Sequence, residues 1–196
     1  PHAMTESEIL SGPLEPTNEG YALAKLVGWK TVQFMAKSLT WRSFILSNLY
    51  GPNDHFEQER SHLLAAIIQK VYTAREKKFE SIDMWGDGSA KREFTFVDDV
   101  ALFLVQSIER MGDFPDTLNL GAGIDYSVLE YYKFVSQSMN YDGAIMADLS
   151  KPAGMHRKLM NISQATRFGW NPNTSIESGI QKTVTWYEEN TQRGHI

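Results

Sequence analysis

Along this chain the spacing of apolar positions alternates between a helical period and a strand period. Over about 19–38, Tyr21, Ala24, Lys25, Gly28, Val32 and Met35 recur at helical spacing, and Asn18 is placed to cap the start. Arg42-Ser43-Phe44-Ile45-Leu46-Ser47 reads as a short apolar strand, and Gly51-Pro52 closes the segment after it. A polar loop leads to a helix over about 61–76, with Leu63, Leu64, Ile67, Ile68 and Val71 on one face. Ile82-Asp83-Met84-Trp85 alternates as a strand and enters a tight Gly86-Asp87-Gly88 turn. Residues 92–97 form a further extended piece, and Asp98 is expected to cap a helix through about Met111. Leu118-Asn119-Leu120 is an apolar strand ending at Gly121-Ala122-Gly123. Ser127 with Glu130 makes a capping box for a helix to about Met139. Pro and Gly punctuate the remainder of the chain, with a short helix over 163–168 and a final one over about 175–190. Residues 4–17 read as loop. Strands alternating with helices predict an α/β fold.

Composition narrows the function classes. The 196 residues suffice for one domain, or one domain with an appendage. A net charge of −5 argues against a nucleic-acid partner, which would call for a basic face. The absence of cysteine removes disulfides, thiolate nucleophiles and cysteine-ligated metal, and fits a reducing cytoplasm. No run approaches the roughly 20 apolar residues that cross a bilayer, and no signal-peptide pattern opens the chain. The expectation is a cytoplasmic protein with neither membrane nor nucleic-acid partner and no metal.

Several residues could carry chemistry. Tyr21 and Lys25 are four apart, so a helix puts them on one face a turn apart. A cation beside a phenol favours the phenolate, which suits proton exchange. Taken alone, this spacing more often marks a half-buried aromatic beside a solvated charge. Asn48-Leu49-Tyr50-Gly51-Pro52 sits at the C-terminal end of a strand, the edge where open parallel sheets bind ligands. His62 opens a helix, and an imidazole there, where the dipole disfavours its cation, can accept a proton. Trp85, Arg92, Arg157 and Lys158 supply an aromatic face and fixed cations suited to a base and a diphosphate. Gly121-Ala122-Gly123 invites a dinucleotide-loop reading. Tyr126 stands where the third glycine belongs and no acidic residue sits at a strand end about twenty residues on, so a tight strand-to-helix turn is the better reading.

The order of these pieces carries a resemblance. Leu14-Glu15-Pro16-Thr17-Asn18, Tyr21-Ala22-Leu23-Ala24-Lys25, Asn48-Leu49-Tyr50-Gly51-Pro52, Ser61-His62, Trp85-Gly86-Asp87-Gly88, Arg92-Glu93-Phe94, Val97-Asp98-Asp99 and Lys151-Pro152-x-Gly154-x-x-Arg157-Lys158 occur in that order. This series closely resembles the GDP-L-fucose synthase family of extended short-chain dehydrogenases/reductases, from about residue 5 to the final helix. The first and last segments narrow the match to the GDP-sugar branch.

The resemblance implies NADPH-dependent epimerisation at C3 and C5 of a GDP-4-keto-6-deoxy sugar, and then reduction at C4. It makes Tyr21 the proton donor to the C4 oxygen, Lys25 its activator, and His62 the acid/base of epimerisation. Tyr21, Lys25, Asn48, Leu49 and His62 would face the cofactor, while Lys70, Trp85, Arg92 and Lys158 would hold the GDP moiety. The fold implied is the C-terminal part of a doubly wound, Rossmann-type parallel sheet plus a small α/β substrate domain. Residues 1–60 would be the remnant of the dinucleotide-binding domain, and 61–196 mainly the substrate domain. The Gly-rich βαβ half that binds most of the NADPH would be absent, leaving a chain inactive alone. A homodimer through the Tyr21 helix, using Val27, Phe34 and Leu39, and a complementing N-terminal chain are the partners implied. Two other readings remain open at this point: an epimerase/reductase for another GDP-sugar, such as a heptose, with residues 53–57 setting the choice, or a non-catalytic GDP-sugar binding module.

Overall fold

The computed structural model describes residues 2–36, 40–57, 61–151 and 155–194. Helix α1 (Glu19–Met35) comes directly after a 3-10 turn at Pro16–Asn18, where proline's fixed φ suits a helical first turn. Asn18 stands at the N-cap, but its side chain makes no capping bond. No residue of α1 is buried. Trp29 Nε1 donates to Thr117 Oγ1 at 2.8 Å and ties the helix to the rest of the chain.

The extended run after α1 changes partners midway. Strand β1 (Ser43–Leu46) pairs in parallel with β6 (Thr117–Leu120), Phe44 opposite Leu118. Strand β2 (Asn48–Tyr50) pairs in parallel with β5 (Phe94–Phe96), Asn48 opposite Phe94. Ser47 sits between, its amide bonded to Leu120 O and its hydroxyl 2.6 Å from Thr95 Oγ1. Strand β3 (Ser81–Trp85) pairs in parallel with β8 (Ala144–Asp148). Strand β4 (Lys91–Arg92) lies between β7 (Tyr126–Ser127), antiparallel, and β9 (Arg157–Lys158), parallel. The expected α/β architecture of parallel pairs connected through helices is therefore present.

Helix α2 (Leu63–Glu76) buries Leu64, Ile67, Ile68 and Val71, the i, i+3, i+4, i+7 stripe of its sequence, and Leu63 is only half-buried. These side chains join Met84, Tyr131 and Ile180 in a large core. Tyr131 belongs to helix α4 (Val128–Ser138) and Ile180 to helix α6 (Ile176–Gln192). A second core gathers Leu118, Leu120 and Trp170 under helix α3 (Val97–Ser107) and helix α5 (Ser163–Arg167).

Three details depart from expectation. Phe96, not Asp98, is the N-cap of α3, and the α-helix stops at Ser107, with a 3-10 turn continuing over Ile108–Asp113. Asp98 occupies the exposed first turn, where it still meets the positive dipole end. Its neighbour Asp99 accepts from the Thr174 amide and hydroxyl, both at 3.0 Å, so that carboxylate serves a tertiary contact. The extended piece over 92–97 is broken at Glu93. Strand β8 lies in the stretch expected to be irregular, because Ala144 and Ala147 have little intrinsic strand preference and take extended form by pairing with β3.

The Ser127 capping box is formed as expected. The Ser127 amide donates to Glu130 Oε2 at 2.7 Å, and the Glu130 amide donates back to Ser127 Oγ at 3.2 Å. Ser127→Ala should lower the unfolding free energy by about 1 kcal/mol in urea titration, the usual value of an N-cap side chain. No measurable loss would show that this cap is redundant with the packing of α4.

Candidate active site

The C-terminal end of β2 opens into a cavity of about 650 Å³. Gly51 makes the exit possible, since a Cβ there would strike the side chain of Val97. Asn53 adopts a left-handed backbone, φ 66°, as the loop turns along the cavity rim. Tyr21, Asn48, Leu49, His62 and Lys158 all line this one space, although they come from four separate stretches of the chain.

Tyr21 projects from the first turns of α1 with 62% of its surface exposed. Lys25 Nζ lies 5.3 Å from the centre of its ring, the one-turn spacing expected of the pair, though Lys25 itself does not line the cavity. His62 is the N-cap residue of α2 with an exposed side chain. Asn48 Nδ2 donates to the Glu93 carbonyl at 2.9 Å, which fixes the orientation of that amide against the neighbouring strand.

Glu93 itself is a functional candidate that the sequence reading did not single out. It is 1% exposed yet forms part of the cavity wall. Its carboxylate accepts from the Gly123 amide at 2.7 Å and the Met160 amide at 2.8 Å. Burial pushes its carboxyl above the ordinary value, with the charge of Asp125 adding to this and the backbone bonds opposing it. A signal was available: a lone acid just before Phe94, Thr95 and Phe96, all buried, is an acid carried into the interior.

The residues expected to grip a nucleotide divide into two groups. Lys158 reaches the cavity, pairs with Glu15 at 3.2 Å, and stands opposite Arg92 in the β4–β9 register. The two segments that narrowed the resemblance, 14–18 and 151–158, thus meet through that ion pair, although a half-exposed pair adds little stability. Arg92 Nη1 donates to Met155 O at 2.6 Å, and burial lowers its guanidinium while the charge of Glu15 acts the other way. Lys70, Trp85 and Arg92 do not line the cavity. Lys70 Nζ donates to Asp83 O at 2.7 Å, and Trp85 is 62% exposed with Lys151 Nζ 5.6 Å from its ring. Pro152 and Gly154 fall outside the described residues.

Comparison with known proteins gives the chain its family and its fold. Residues 1–121 match the NAD dependent epimerase/dehydratase family. The chain is 44% identical to a GDP-L-fucose synthase of Azorhizobium caulinodans over 94% of its own length and 60% of the relative's. It is 40% identical to a GDP-L-colitose synthase of Yersinia pseudotuberculosis, covering 94% of this chain and 61% of that protein. A GDP-L-fucose synthetase from Naegleria fowleri, solved bound to NADP, superposes with a TM-score of 0.89 at 23% identity, over 100% of this chain and 64% of that one. The last likeness shows the fold. The chain spans about 60% of the length of the curated relatives it matches.

Glu93 also makes stability depend on pH. Its carboxyl is held above the ordinary 4.5, so the folded chain binds that proton more tightly than the unfolded chain does. The stability due to the tighter proton is full below about 4.5 and is lost as pH rises through the folded value. The stability of wild type minus that of Glu93→Gln should therefore fall as pH rises above about 4.5 in urea titrations. A difference that stays flat, or rises, contradicts the assignment.

Proposed function

This chain belongs to the NAD dependent epimerase/dehydratase family, and from that premise we propose that it carries the substrate-binding and proton-transfer part of an NADPH-dependent GDP-4-keto-6-deoxy sugar epimerase/reductase of the GDP-L-fucose type. The supporting observation is the single cavity shared by Tyr21, Asn48, His62 and Lys158. The name of the Azorhizobium relative, GDP-L-fucose synthase, points to a GDP-sugar.

The described residues fit one end of a nicotinamide cofactor. Tyr21 with Lys25 would hold its ribose, and Asn48, Leu49 and His62 would line the nicotinamide. The Gly121-Ala122-Gly123 turn is no cradle for its pyrophosphate, because the Gly123 amide is already occupied by Glu93. When bound, NADPH supplies the hydride that reduces C4. The chain's own residues handle protons. A C–H beside the ketone is acidic enough for the His62 imidazole to remove, and return of a proton to the other face of the enolate inverts the centre. As C4 is reduced, the developing alkoxide takes the Tyr21 proton, and the Lys25 ammonium stabilises the negative charge left on the phenol. Lys158, with Arg92 next to it across the β4–β9 pairing, offers cations for the diphosphate, and the exposed face of Trp85 offers a stacking surface for the base.

The two-domain division also belongs to this proposal, with residues 1–60 on the cofactor side and most of 61–196 on the substrate side. A cytoplasmic setting fits a route that uses NADPH. Among the described residues no helix is long and apolar enough to cross a membrane. Helix α1, which buries nothing of its own, is proposed to face a second copy through Val27 and Phe34, at 66% and 73% exposure. Leu39 lies outside the described residues.

Joining the chain to the part of the rhizobial relative that it does not cover provides the test. The joined protein should oxidise NADPH in the presence of GDP-4-keto-6-deoxymannose. Tyr21→Phe should slow that oxidation by about 10²-fold or more, and His62→Asn should slow solvent deuterium uptake at C3 and C5 by a similar factor. The chain alone should show neither turnover nor micromolar NADPH affinity. Wild-type rates in both variants would refute the roles, turnover only with a GDP-4-keto heptose would move the substrate, and GDP binding without any turnover would leave a binding module. In sedimentation, Val27→Glu with Phe34→Glu should convert a dimer to a monomer, and an unchanged dimer would place the interface elsewhere.

A further inference from the structure

The proton-transfer scheme makes no use of Glu93, yet that residue ties two walls of the cavity together. Its carbonyl accepts from the Asn48 side chain, on the β2 wall. Its carboxylate accepts from the Met160 amide, two residues beyond Lys158, on the β9 wall. Asn48, Lys158 and Met160 all line the cavity. The third attachment is the Gly123 amide, and the turn that bears it is shaped around the carboxylate. A Cβ on Gly121 would collide with Glu93 Oε1, and Gly123 adopts φ 72°. The glycine pattern that suggests a phosphate cradle in the sequence thus holds an anion that the chain supplies itself.

We propose that Glu93 is a positioning residue of the nucleotide-sugar site, setting the separation of Asn48 from Lys158 and Met160 and thereby the affinity for the GDP moiety. The proposal rests on reading this cavity as a GDP-sugar site. A buried carboxylate with amide donors suits that role, because each bond is directional and the site excludes the water that would compete for it. Losing it leaves buried amides without an acceptor, and the two walls are then free to shift apart. Glycine at 121 is part of the same device, since any side chain there displaces the carboxylate without removing it.

The test compares ¹⁵N resonances and GDP affinity in the chain and its variants. In Glu93→Gln, the Asn48 side-chain amide and the Lys158 and Met160 backbone amides should shift together, and GDP affinity should fall about tenfold. Gly121→Ala should reproduce both changes, and the double variant should be no worse than Glu93→Gln, as expected of residues acting through one contact. Val135→Ala truncates a side chain of the large core that does not line the cavity, and should lower the melting temperature while leaving those resonances in place. If Glu93→Gln does not fold, Gly121→Ala decides alone. Unmoved Asn48 and Lys158 signals, or signals that move as far in Val135→Ala, would overturn the proposal. Failure of every form to bind GDP would refute the nucleotide-sugar reading, and the resonance comparison would still judge the tie between the walls.

Discussion

The site depends on one extended segment that serves two partners. Residues 43–46 pair with β6, residues 48–50 pair with β5, and Ser47 bonds to both sides of the exchange. Both pairings are parallel, so the segment ends at the strand edge where loops gather. That is why residues 46–54 line the cavity without interruption. The pairing also sets Asn48 against β5 so that its amide reaches the Glu93 carbonyl. A shift of one residue would turn every side chain of the segment to the other face and dissolve this arrangement.

Much of this was legible in the chain because the signals were local. A helix places residues four apart on one face, so Tyr21 and Lys25 meet without tertiary help. The Ser127–Glu130 box is equally local. The features that escaped the sequence are those that tertiary contact decides. Strand β8 exists because β3 offers it an edge, and Asp99 is used because Thr174 arrives from 75 residues away. The role of Glu93 depends on Gly123 and Met160, which nothing in its neighbourhood of the chain announces. The placement of Lys70 against Asp83 rather than in the cavity is likewise a matter of how α2 sits on β3.

Rigidity and access are divided between different parts of the molecule. The large core holds α2, α4 and α6 with side chains such as Ile68, Val135 and Ile180 at no exposure. Helix α1, which carries Tyr21, has none of that support and is anchored by Trp29 to Thr117. The buried carboxylate of Glu93 links the turn after β6 to the segment bearing Lys158. Placing a charge there has a desolvation cost, which its upward-shifted carboxyl records, and the amide bonds offset part of it. Such a cost is more readily understood at a place where geometry matters to a ligand than in a core that merely needs to be filled.

A crystal structure with GDP-4-keto-6-deoxymannose bound tests the central claim most directly. The account predicts the keto sugar within the cavity, its C4 oxygen in hydrogen-bond reach of the Tyr21 hydroxyl, with His62 beside the ring and the diphosphate at Lys158. A sugar bound elsewhere, or Tyr21 and His62 addressing different molecules, would contradict it.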